Sequence, residues 1–139
     1  MSSQGHIYKV NEDTLQVYAA DVLRAFKRGG VLAWHTPNGG HRHIAVAKKL
    51  KRMGTLSGVP DWTILVPTIS TITRFSLYFL ELKDAKGKQS PSQIEFQKAV
   101  EALGIEYRIA RDPVSIDTAL IEWGAIYKPI SPKARASGA

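Results

Sequence analysis

Two acids and a base in this chain stand where metal-assisted phosphate chemistry is possible. Asp61 follows Gly58-Val59-Pro60 and heads the apolar run "WTILV", and Glu81 and Lys83 close the run "FSLYFLELK". Side chains alternate faces along a strand, so Leu77, Phe79, Glu81 and Lys83 share one face while Tyr78, Leu80 and Leu82 share the other. One face is apolar throughout; the other ends in a carboxylate beside an ammonium. If the two runs pair as an antiparallel meander, Asp61 falls opposite Glu81 and the two carboxylates converge. Close carboxylates repel unless a cation lies between them, and oxygen donors suit hard Mg²⁺ or Mn²⁺. Lys83 would then orient an attacking water or offset charge developing on a phosphate. The same residues also fit a plainer arrangement, with Asp61 capping a turn and Glu81 and Lys83 forming a surface pair.

The surrounding sequence supplies elements to hold them. Asn11 is placed to cap a helix over 12–28, with Leu15, Tyr18, Ala19, Val22, Leu23 and Phe26 as its apolar stripe and Gly29-Gly30 as its stop. Strands are expected at 31–35, 61–67, 75–83 and 106–110. Residues 43–53 read as a short helix or an irregular basic segment, and 68–74 as a strand extension or a hairpin connection. Ser90-Pro91 and Asp112-Pro113 open two further helices, ended by Gly104 and Gly124. The order is α-β-(α)-β-β-α-β-α, an α/β domain with a central mixed sheet of about four strands flanked by helices. It spans 1–127, followed by a basic, Pro-bearing tail over 128–139 that reads as disordered.

Composition narrows the classes. The chain has 139 residues, 44% of them hydrophobic and 22% charged, as expected of one globular domain. With no cysteine, disulfides and thiolate metal sites are excluded. No apolar stretch reaches the roughly 20 residues that span a bilayer, and "MSSQGHIYKV" lacks a signal-peptide core, so the expected location is cytoplasmic. A net charge of +7 suits a polyanionic partner, nucleic acid first.

Taken in order, "EDTLQ", "HTPNGG", "GVPD", "ELK" and "SPSQ" resemble the virus-type replication-repair nuclease (VRR-NUC) domain of the PD-(D/E)xK nuclease superfamily, over about residues 12–124. The resemblance implies a restriction-endonuclease-like core and a Mg²⁺- or Mn²⁺-dependent DNA endonuclease. It implies Asp61 and Glu81 as metal ligands, with the Leu82 backbone carbonyl able to contribute, and Lys83 as the catalytic lysine. Glu12 matches an extra acidic position, with Asp13 adjacent as an alternative, and Gln93 matches a glutamine on the helix after the lysine strand. Gln93 also fits a capping box with Ser90, and Glu12 suits a helix's first turn. Stand-alone domains of this kind are similar to Holliday-junction resolvases, which implies a homodimer acting on branched DNA. The alternatives are a DNA-binding module that does not cut, and a nuclease of the same fold acting on ordinary duplex.

The remaining candidates concern the partner. Asn38, Gly39 and Gly40 can present main-chain N–H groups to DNA backbone, followed by His41, Arg42 and His43. Lys48, Lys49, Lys51 and Arg52 form the densest positive cluster and are read as phosphate contacts rather than a merely solvated face. A zinc site from His35, His41 and His43 is disfavoured, since no fourth ligand is apparent. Trp34, Trp62 and Trp123 are read as core, with Trp62 under a helix.

Overall fold

The computed structural model describes residues 11–37 and 43–128. Its elements are α1 (Glu12–Phe26), β1 (Leu32–His35), α2 (Ile44–Arg52), β2 (Trp62–Pro67), β3 (Phe75–Leu82), α3 (Pro91–Ala102), β4 (Glu106–Ala110) and α4 (Pro113–Glu122). This is the expected order. The basic segment resolves as the helix α2, and 68–74 resolves as the connection between two antiparallel strands. Among the described residues no helix is long and apolar enough to cross a membrane. The expectation for the tail falls almost wholly outside the described residues.

Local chemistry starts the helices. Asn11 accepts from the Thr14 N–H at 2.8 Å, which satisfies one of the free donors of α1. Ser90 and Asp112 each close a capping box ahead of a proline in the first turn.

The four strands form one sheet in the order β1-β2-β3-β4, with β1–β2 and β2–β3 antiparallel and β3–β4 parallel. A parallel partner needs a crossover, and α3 supplies it. The alternation read along β3 sorts the two faces. Tyr78, Leu80 and Leu82 join Trp62, Ile64 and Val66 in the larger core with Leu15 and Ala19 of α1 and Ile116 and Leu120 of α4. On the opposite face Phe79 and Tyr107 pack with Val100 of α3 in a smaller cluster.

Tyr78 stacks on Trp123 at 4.7 Å between centroids, and Trp62 donates its indole N–H to Gln16 of α1 at 2.7 Å. Those two tryptophans are core, as expected. Trp34 is not: it is 42% exposed. It lies on the edge strand β1, where it helps line an open cleft against α1. Phe26, in the last turn of α1, is likewise exposed, Tyr18 is partly buried, and Leu15, Ala19, Val22 and Leu23 of the stripe are buried.

Candidate active site

The site is built at the end of the sheet where β2 begins and β3 ends. Trp62 pairs with Leu80, so Asp61, one residue earlier, arrives against Glu81 as expected. Its carboxylate Oδ2 accepts from the Leu82 N–H at 2.7 Å, which turns the side chain across onto β3. Its carbonyl accepts from the Thr36 N–H at 2.8 Å and lies 2.9 Å from His35 Nδ1. A carbonyl only accepts, so the His35 proton sits on that nitrogen. Asp61 is therefore tied to both neighbouring strands.

Glu81 is 2% exposed. Its Oε1 accepts from Gln93 Nε2 at 3.2 Å and its Oε2 from the Tyr107 hydroxyl at 3.0 Å. Lys83 is also buried, and its ammonium lies 3.9 Å from Glu81 Oε1 and 3.9 Å from Glu12 Oε1. Glu81 and Lys83 are therefore a buried pair, whereas Glu12 reaches Lys83 from a part-exposed position. Burial, and then the neighbouring Asp61 carboxylate, push the Glu81 carboxyl up to about 8, while the Tyr107 hydrogen bond and the Lys83 charge pull it down.

A carboxyl whose proton affinity rises on folding favours the folded state while protonated. That contribution is complete below its ordinary value of 4.5 and is lost as pH rises through about 8. Metal-free protein is therefore expected to lose stability over this window, and Glu81→Gln to lose the dependence and melt higher at alkaline pH. Thermal melts in EDTA, from about pH 5 to about pH 9, check this; parallel curves for the two proteins would refute it.

The structure brings Asp61, Glu81, Lys83, Gln93 and Glu12 together. Gln93 serves two ends at once. Its Oε1 accepts from the Ser90 N–H at 2.8 Å, completing the capping box, while its Nε2 reaches Glu81. Glu12, rather than the exposed Asp13, is the α1 acid that enters the site, where it meets the Lys83 ammonium. Asn38, Gly39, Gly40, His41 and Arg42 lie outside the described residues. His43 caps α2, accepting from the Ala45 N–H. Among the described residues no group of three or more His, Cys, Asp or Glu side chains is placed to hold a metal ion. Asp61 and Glu81 bring two carboxylates together, a donor set that would suit a hard ion which takes one or two carboxylates and completes its shell with water and phosphate oxygen.

Lys48 and Lys51 line a groove of about 480 Å³ between α2 and the first turn of α3, together with Ser92 and Gln93. Lys49 and Arg52 line a second hollow with Lys48 and Met53, so Lys48 borders both.

Two contributors were not foreseen. Tyr107 reaches Glu81 because the parallel register sets it beside Phe79, on the same face of the sheet. Arg111 donates to the Asp84 and Gly87 carbonyls at 2.8 and 2.7 Å, pinning the loop that follows Lys83. That loop packs tightly, since a Cβ on Gly87 would sit 3.1 Å from Glu12 Oε1 and 3.4 Å from Lys83 Cδ. Neither residue carries a sequence signal: an isolated Tyr in a strand and an Arg before a capped helix are ordinary.

No family model and no curated protein matches the sequence. Solved structures do match the fold. One, a VRR_NUC domain protein, is 20% identical with a TM-score of 0.63, covering 82% of this chain and 88% of its own. A second, a VRR_NUC domain, is 23% identical with a TM-score of 0.51, covering 80% and 94%. The chain is built on the fold of a VRR-NUC domain.

Proposed function

We propose that this chain is a Mg²⁺- or Mn²⁺-dependent DNA endonuclease, selective for branched DNA and acting as a homodimer. The observation that supports it best is the convergence of Asp61 with the buried Glu81, with the Lys83 ammonium 3.9 Å from Glu81. Holding a second carboxylate against a buried one is costly for a merely structural pair, whereas a divalent cation would use it. The likeness to VRR_NUC domains supports the same reading.

Asp61, Glu81 and the Leu82 carbonyl would hold the ion, with Glu12 reaching it directly or through water. When bound, it supplies a polarised phosphate and a water acidic enough to attack. Asp61 presents its carboxylate from a main chain fixed by Thr36 and His35. Lys83, steered by Glu12 and Glu81, holds the attacking water or the charge growing on the phosphate. Gln93 orients Glu81 from its side of the carboxylate and faces the substrate groove with its helix. A single such site per chain makes a two-fold dimer the simplest way to cut both strands of a junction.

The basic residues would carry DNA, with Lys48 and Lys51 guiding a strand past Gln93, and Lys49, Arg52, Asn38, Gly39, Gly40 and Arg42 holding flanking backbone. Each phosphate contact contributes about 0.9 to the slope of log K against log salt. Lys48→Ala with Lys51→Ala is expected to flatten that slope by about 2, measured by fluorescence anisotropy across a salt series. An unchanged slope would remove the groove from the interface.

The deciding experiment offers a labelled four-way junction and a matched linear duplex to the protein with Mg²⁺, Mn²⁺ or EDTA. Metal-dependent cutting of the junction in preference to the duplex is expected. Binding without cutting under either ion would make the chain a binding module, and equal cutting of both substrates would end the branched-DNA selectivity. Sedimentation as a monomer at working concentration would remove the dimer.

A further inference from the structure

Glu81 is held by donors at both oxygens, and the donor at Oε2 is itself held. Gln89 Nε2 lies 3.3 Å from the Tyr107 oxygen and 2.9 Å from Gln97 Oε1, and Gln97 Nε2 donates to Glu101 at 2.6 Å. An amide nitrogen only donates, so Gln89 fills a lone pair of the phenol and leaves the Tyr107 hydrogen directed at Glu81. Glu101 accepts at the far end, which orients Gln97 and, through it, Gln89. The ring is 7% exposed and packs with Phe79 and Val100, so it has little freedom to turn away.

We infer that Tyr107, set by Gln89, is a positioning residue for divalent-ion binding: it fixes the plane of the Glu81 carboxylate from the side away from Gln93. This rests on the proposed metal pair of Asp61 and Glu81. The argument is geometric. A buried carboxylate without a donor at Oε2 could rotate or swing toward the protein interior. With donors at both oxygens it keeps one orientation beside Asp61 before any ion arrives, and ordering done in advance need not be repeated on binding.

Tyr107→Phe removes only the hydroxyl and keeps the ring in its cluster. Mn²⁺ binding to the full chain without DNA would be followed by the electron paramagnetic resonance signal of free Mn²⁺, beside a thermal melt. In parallel, the Mg²⁺ concentration giving half-maximal junction cleavage would be determined. Loss of the hydroxyl is expected to weaken Mn²⁺ binding about tenfold and to raise the Mg²⁺ requirement similarly, with cleavage recovering at saturating metal. Gln89→Leu, in the loop before α3, is expected to shift both in the same direction by less, and carries the test if Tyr107→Phe does not fold. Wild-type Mn²⁺ affinity and Mg²⁺ requirement in a folded Tyr107→Phe, or in Gln89→Leu if it must stand in, would overturn the inference and leave the nuclease reading intact. No Mn²⁺ binding by the wild type would instead overturn the metal pair, and the inference with it.

Discussion

Lys83→Ala is expected to lower junction cleavage by about 100-fold or more while DNA binding stays within a few-fold. The ammonium stands among the site's acids, 3.9 Å from both Glu12 and Glu81, and its side chain is 10% exposed. A charge held there acts in a poorly solvated setting, where a preorganised cation offsets far more developing negative charge than in water. The carboxylates remain after the substitution, so Mn²⁺ binding is expected to persist, which separates loss of chemistry from loss of the ion. Lys83→Arg tests shape: a planar guanidinium keeps the charge but cannot occupy the same point, and activity should stay low. Cleavage time courses on the junction, paired with anisotropy titrations, provide the check. Substantial cutting by Lys83→Ala would exclude the lysine from the chemistry.

The largest expected effect on stability comes from a residue with no side chain. Gly58 has φ +81°, and a Cβ there would lie 2.3 Å from the Ser92 carbonyl oxygen and 2.4 Å from its carbon. Those are backbone atoms in the first turn of α3, which cannot rotate aside. The loop before Asp61 thus packs main chain to main chain against the helix that carries Gln93. Gly58→Ala combines left-handed strain with a backbone clash and is expected to cost roughly 2–5 kcal/mol, a fall in melting temperature of order 10 °C. Gly54→Ala is the control. It has φ +96° but nothing within 4 Å of a Cβ, so only strain remains, about 1–2 kcal/mol. Denaturant melts that rank the two equally would refute the close-approach argument.

Much of this arrangement is legible in the residues because it is local or antiparallel. Asn11, Ser90 and Asp112 announce their helices by capping chemistry, which needs only three or four residues of context. The convergence of Asp61 and Glu81 follows from period-two alternation once β2 and β3 are taken as an antiparallel pair. Tyr107 and Arg111 escape the same reasoning because β4 joins β3 in parallel, across α3, and no local pattern sets the register of such a pair. Trp34 misleads for a related reason. Whether an apolar residue of β1 is covered depends on which strand is the edge, and that is decided by the whole sheet. Gln93 shows the limit from the other direction, since cap and site contact are not alternatives when an amide has two ends.

The unequal division of the core has a practical consequence for trapping complexes. The face of the sheet against α1 and α4 holds the large cluster, from Leu15 and Ile64 to Leu120 and Ile126, while Glu81 and Lys83 lie on the α3 face, beside a cluster of three buried residues. The candidate site and the bulk of the packing thus occupy opposite sides of one strand, β3. Substitutions that silence the acids or the lysine leave the thicker side of the molecule untouched. Under the proposed function, a chain disarmed in this way is expected to keep its scaffold, and with it the shape needed to hold an uncut nucleic acid still for crystallography.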